Sequence, residues 1–285
     1  ISSAASDVYK RQALGKERVL VEVDRAIATK LLEFVRRFKL RSKVSLTDVS
    51  DEWNVFHVWG SDVESAAAAR SDAIVRRDPR TPRMGSRVLL PSSAPKAVYE
   101  NAHKATASDY LIHRILNGVP EGSREIVLGS SLPLECCMDY MNGIDFHKGC
   151  YIGQELTART FFTGLVRKRI MPITLTPDGI TSNQLCVDTN ASMQLPAPET
   201  DIRLVSPEGG EQEHRPTRTR SAGKFITGIH NIGLAMLRFE HVNKAKGDTI
   251  NTPRLAVDTE SGQLQVTAWT PSWWPHDPVS TDESG

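Results

Sequence analysis

The run Phe146–Thr160, FHKGCYIGQELTART, sets one thiol between two glycines, with a lysine two residues before it and a polar–acidic pair after. Glycine lets the backbone approach closely and take positive φ, so Gly149 and Gly153 predict a tight turn that displays Cys150 outside any regular element. Lys148 and a helix starting just after Gly153 would both lower the thiol pKa and enrich the thiolate, the form that attacks or binds metal. Gln154 and Glu155 would then occupy the first helical turn, where a carboxylate is favoured by the dipole. The competing reading is a small buried hydrophobe, the commoner fate of a lone cysteine. Spacing alone leaves nucleophile, metal ligand and core residue open.

The other reactive types give weaker signals. Cys136 and Cys137 lie in LPLECCMDYM, which reads as a short apolar helix packing into a core. Cys186 follows a turn-rich stretch and carries no signal. The four cysteines form no CxxC pair, and two adjacent ones are poorly placed to share a tetrahedral metal. So few in 285 residues suggests a reducing compartment, not a disulfide scaffold. His57, His103, His113 and His147 show no HxxxH or HxH spacing, so zinc is unsupported. His147 precedes Cys150 by three residues across a turn and need not face it. Arg114 follows Tyr110 by four and shares its helix face, where it could fork a ligand carboxylate or a structural one. Arg167, Lys168 and Arg169 alternate at strand spacing; a solvated strand edge is the default and a phosphate or polyglutamate contact the sharper alternative. Trp273 and Trp274, between prolines, read as a plug at a barrel mouth.

These groups need elements to hold them. Residues 1–12 fit no periodic pattern and read as a remnant of cloning or processing, outside the fold. Val19, Val21 and Val23 alternate as a strand. Asp24 then caps a helix with apolar residues at Ile27, Leu31, Phe34, Val35 and Phe38 and basic residues at its end. Val44–Leu46, Trp53–Trp59 and Arg87–Leu90 read as strands, with a variable loop over 61–87. A helix covers about Lys104–Asn117 and stops at Gly118; another resumes near Gln154 and ends by Gly164. Beyond Leu165 short strands recur between Gly, Pro, Asn and Asp turns: Leu165–Leu175, Ile202–Val205, Lys224–Ile229, Leu234–Phe239, Leu255–Val257 and Leu264–Trp269. That is the pattern of a small antiparallel barrel, interrupted by a polar, flexible insertion over 206–222. The expected architecture is α+β: a body over 13–163, then a β-barrel domain over 164–285.

Charge is nearly balanced, 35 basic against 34 acidic residues, which argues against nucleic acid as a partner. No apolar run approaches the ~18–20 residues that span a bilayer, so the sequence reads as soluble.

KGCYIGQE at Lys148–Glu155 resembles the motif of the YgfZ-type family, relatives of the glycine-cleavage T protein, an aminomethyltransferase. The resemblance extends through Arg114-Ile115, Gly118–Gly122 and Leu132–Glu135, then Leu156–Thr160, Gly164 and Val166–Arg169, and reaches Ala222-Gly223, Gly233–Ala235 and Leu237-Arg238. LTART followed by VRKR is similar to the eukaryotic, mitochondrial branch. The resemblance implies an aminomethyltransferase-like folate-binding body followed by a barrel, and an assembly factor for [4Fe-4S] proteins in the mitochondrial matrix. Tetrahydrofolate is the implied cofactor, with Lys148, Tyr151, Gln154, Glu155 and Arg114 as implied contacts. Cys150 is the implied thiolate ligand or relay, sharing an iron–sulfur cluster with A-type carrier proteins. Relatives carry an N-terminal section before the point where this chain becomes regular, so the body is expected to be N-terminally truncated. The alternative is a folate-dependent aminomethyl or one-carbon transferase.

Overall fold

The computed structural model describes residues 9–14, 18–60, 72–94, 103–151, 153–205, 221–245 and 252–275. The chain enters through a hairpin: β1 (Tyr9–Leu14) pairs antiparallel with β2 (Arg18–Val23). Residues 9–12, set aside on sequence grounds, therefore belong to a strand; hairpin partners from Leu20 to Val23 supply the pairing that periodicity could not announce. Asp24 accepts the backbone N–H of Ala26 at 3.0 Å and opens a 3-10 turn leading into α1 (Ala28–Lys39). The expected strand at Val44–Leu46 is irregular backbone, entered by a tight turn in which Val44 N–H bonds the Ser42 carbonyl at 2.9 Å.

A three-stranded antiparallel sheet follows, ordered β3 (Trp53–Val58), β5 (Ser86–Pro91), β4 (Ile74–Arg77). β4 falls inside the stretch read as loop, because its four residues include two exposed arginines and show no apolar alternation. β5 runs between its neighbours and is buried from Ser86 to Leu90. α2 (Ala107–Leu116) starts with a reciprocal capping box, Thr106 with Asp109. It stops where Gly118 turns to φ 66 and Val119 N–H bonds back to the Arg114 carbonyl.

Residues 134–141 form successive turns, not a helix. Cys137 at φ 60, with Asn142 at φ 58 just beyond, takes the left-handed backbone that a helix excludes. Core packing of the cysteines nevertheless holds, with Cys136 and Cys137 both 0% exposed. α3 (Gln154–Thr163) then leads to β6.

Six strands close an antiparallel barrel: β6 (Lys168–Pro177), β7 (Asp201–Val205), β8 (Gly223–Ile229), β9 (Ile232–Arg238), β10 (Arg254–Thr259) and β11 (Gly262–Ala268). Around the barrel the order is β10-β11-β6-β9-β8-β7, so the first strand lies beside the last. The barrel strands are buried on both faces, with Ile170 and Leu234 on one and Leu175, Ile202 and Leu237 on the other, all 0% exposed. A short α4 (Phe239–Lys244) follows β9. Most of the expected flexible insertion, residues 206–220, lies outside the described residues.

Body and barrel meet tightly. Trp273 donates its indole N–H to the Asn117 carbonyl at 2.7 Å, and Trp274 packs edge-on to Tyr140. The tryptophan pair thus seals the barrel against the end of α2. A Cβ at Gly118 would stand 2.8 Å from Pro271 and 3.0 Å from Pro172, so glycine is needed there for space as well as for φ.

Candidate functional site

Gly153 adopts φ 84 and forms the N-cap of α3, the left-handed turn that glycine supplies without strain. Gln154 closes it from both sides: its backbone N–H bonds the Tyr151 carbonyl at 3.2 Å, and its side-chain oxygen accepts the Tyr151 N–H at 3.3 Å. Thr157, buried on the next turn, donates its hydroxyl to the Gly153 carbonyl at 3.3 Å. The Lys148 ammonium lies 4.9 Å from the centre of the Tyr151 ring, a cation–π contact. Phe146 stacks on Phe161 with ring centres 3.8 Å apart and pins the start of the loop to α3. At the crest of this turn Cys150 is a free, exposed thiol. The structure thus brings Lys148, Tyr151, Gln154 and Glu155 together with Cys150 around one helix start.

Arg114 is not among them. It is buried, and its guanidinium forks Glu125 with two bonds of 2.8 Å while also donating to the Val119 carbonyl. Of the two carboxylates the sequence left open, the structural one holds it, and Arg114 organises the 114–125 turn. Arg169 corrects the expectation of a solvated edge. It is 3% exposed, pairs Asp139 at 2.7 and 2.8 Å, and stands 3.8 Å over the Tyr140 ring. Lys168 pairs Glu135 at 3.0 Å, and Arg167 alone of the three is exposed.

A second polar cluster escaped sequence reading. Arg80 forks Asp78 and reaches Glu121 at 2.6 Å; Arg87 meets the same Glu121 oxygen at 2.8 Å, and the Tyr110 hydroxyl donates to it at 2.9 Å. Burial, with Glu121 adjacent, pushes the Tyr110 phenol up to about 12. Beside it, the rings of His57, Trp59, Tyr110 and His113 pack together, with Trp59 stacked on His113 at 4.9 Å. Both histidines point Nε2 at the Met84 carbonyl, so both carry their proton on Nε2. Nδ1 of His57 is then a buried acceptor with no hydrogen-bond partner among the described residues. Burial, aided by Arg87, holds the His57 imidazole down at about 3, and it stays neutral. The only sequence signal was Tyr110 itself; the arginines lay in a polar stretch that imitates a loop.

Among the described residues no group of three or more His, Cys, Asp or Glu is arranged to hold a metal ion. None of the described helices is long and apolar enough to cross a membrane.

Residues 167–276 match the family described as "CAF17, C-terminal beta-barrel domain". The chain is 39% identical over 285 residues to the "Iron-sulfur cluster assembly factor IBA57 homolog, mitochondrial" of Mycosarcoma maydis, covering 94% of this chain and 70% of that one. It is 30% identical to the Dictyostelium discoideum protein of the same description, covering 91% of this chain and 73% of that one. Among solved structures, the glycine cleavage system aminomethyltransferase T of Bartonella henselae superposes with a TM-score of 0.59, covering 93% of this chain and 71% of that one, at 9% identity. That likeness shows the fold: an α+β aminomethyltransferase-like body followed by a barrel.

Proposed function

The chain belongs to the IBA57 family of mitochondrial iron–sulfur cluster assembly factors, and from that premise we propose that Cys150 is the thiolate through which it holds or relays a cluster. The observation that carries the reading is the exposed thiol on a turn fixed by Gly153, Gln154 and the Phe146–Phe161 stack. A two-iron cluster takes four thiolates, and the described part of this chain assembles no such set. The remaining ligands would come from a partner, an A-type carrier protein in the mitochondrial matrix, and the product would be a [4Fe-4S] protein. The cluster is cargo here and not a resident cofactor.

Tetrahydrofolate enters the proposal as a ligand of the body. Its flat pterin carries N–H donors, and the buried Nδ1 acceptor of His57 beside Trp59 and Tyr110 suits such a ring. Those residues would hold it, with Glu121 a further acceptor at the edge of the cluster. When bound, a reduced folate supplies nitrogens able to take up a one-carbon unit. Isothermal titration of tetrahydrofolate into wild type and His57→Phe tests this part; equal binding by both would remove His57 from the site.

The decisive experiment uses a full-length version in cells lacking the native gene. Cys150→Ala should accumulate normally, since few packed atoms are lost from an exposed turn, yet leave aconitase-type four-iron activity low and two-iron proteins near normal. Full rescue by Cys150→Ala would overturn the thiolate role.

A further inference from the structure

α3 bears the Cys150 turn at its start and exposed apolar side chains along its length. Leu156, Phe161, Phe162 and, just past the helix, Leu165 are 44, 45, 67 and 77% exposed. Single surface hydrophobes need no explanation, but four within ten residues mark an interaction site. Between α3 and the start of β6 runs a groove of about 220 Å³. Leu156, Leu165, Leu132 and Leu134 supply its apolar lining.

The rim of the groove is cationic. Lys168 is neutralised by Glu135 at 3.0 Å. Arg167 is exposed, and Arg238 engages the Ser221 carbonyl through Nε at 3.2 Å. Both guanidiniums line the groove, and neither pairs with a carboxylate among the described residues. A groove that sets leucine side chains beside two guanidiniums with no carboxylate partner among the described residues selects against a basic occupant and favours one that joins an apolar side chain to a carboxylate. Nucleic acid fits poorly, because stacking platforms interleave exposed rings with many cations and no aromatic side chain lines this groove.

We propose that this groove docks a protein partner through a short apolar–acidic segment, with a leucine- or phenylalanine-like side chain between Leu156 and Leu165 and its carboxylate at Arg167 and Arg238. The inference deepens the reading of Cys150 as a contact with a partner and rests on it. The groove includes Leu156 and Thr157 from the first turns of α3, the end of the helix that follows the Cys150 turn. The groove fixes where the partner sits; the thiol meets what the partner carries.

Fluorescence anisotropy tests this with the folded chain and labelled hexapeptides having two central leucines flanked by aspartates or by lysines. The aspartate peptide should bind about ten-fold more tightly, and Arg167→Glu should abolish that preference. Leu165→Asp should remove binding of the aspartate peptide. Both variants alter exposed side chains, and wild-type urea midpoints would show that both are folded. Equal binding of the two peptides, indifference to Arg167→Glu, or no binding at millimolar peptide would overturn the proposal. So would concentration-dependent dimerisation of the chain lost in Leu165→Asp, or uptake onto phosphatidylserine vesicles with no peptide preference. Cys150→Ala should bind the aspartate peptide like wild type, so failure of the cysteine role and failure of the groove give separate results.

Discussion

Arg169 and Asp139 face each other where body meets barrel as a bidentate pair, at 2.7 and 2.8 Å, with both side chains 4% exposed. Their partnership joins the first barrel strand to the turns that carry the buried cysteines. Removing one partner strands a charge in a dry site. Asp139→Ala should therefore destabilise by about 3–5 kcal/mol in urea titration. The double replacement Arg169→Met with Asp139→Leu should recover most of that loss; a double variant as weak as the single one would show that packing, not charge, holds the join.

Acid should weaken the body before it reaches the carboxylates. His57 is held at about 3 in the folded chain, from an ordinary value of 6.5. The unfolded chain therefore takes up a proton below pH 6.5 that the folded chain refuses, and stability is lost as pH falls toward 3. The loss from this one group should reach about 2 kcal/mol by pH 5. His113 is lowered too, chiefly by burial, and acts in the same direction. Urea midpoints at pH 7 and pH 5 should differ less in His57→Gln than in wild type; parallel curves would refute the assignment.

Thiol labelling should divide the cysteines two and two. Cys150 and Cys186 are exposed, whereas Cys136 and Cys137 are buried. Burial also pushes the Cys137 thiol up to about 12, leaving almost no thiolate at neutral pH. Mass spectrometry after alkylation of the native chain should find Cys150 and Cys186 modified and the adjacent pair protected until denaturant is added. Early modification of Cys137 would contradict the core described here.

Gly118→Ala should be costly although it adds one methyl. The new Cβ would meet Pro271 and Pro172 at the distances of a clash, on a backbone at φ 66. A penalty of about 2–4 kcal/mol is expected from strain and overpacking together. Loosening of the tryptophan seal should also red-shift the emission; an unchanged midpoint would mean that the join yields easily.

The barrel was legible because short apolar runs recur between turns that carry Gly, Pro, Asn or Asp. The exposed turn at Cys150 was legible because two glycines announce it. β4 was hidden since two of its four residues are arginines, and charge in a strand looks like loop until the pairing is known. Arg169 misled for a related reason: its partner Asp139 lies thirty residues back, and only the fold brings them together. The segment 134–141 has a helix's composition, but the left-handed residue at Cys137 breaks it, and no local pattern gives that away. Arg114 kept its carboxylate within eleven residues, yet spacing alone left open whether that carboxylate belonged to a ligand.

The barrel's strand order has a consequence for biogenesis. β6, which follows directly from α3, is flanked on one side by β9 and on the other by β11, where Ala268 pairs with Ile173. The strand next to the Cys150 helix thus has an open edge until nearly all of the barrel sequence has been made. A nascent or prematurely ended chain would expose that edge and leave the helix without its finished support. Unpaired strand edges are what chaperones and proteases encounter first. The Cys150 turn is thereby carried on a completed scaffold only once β11 has paired with β6.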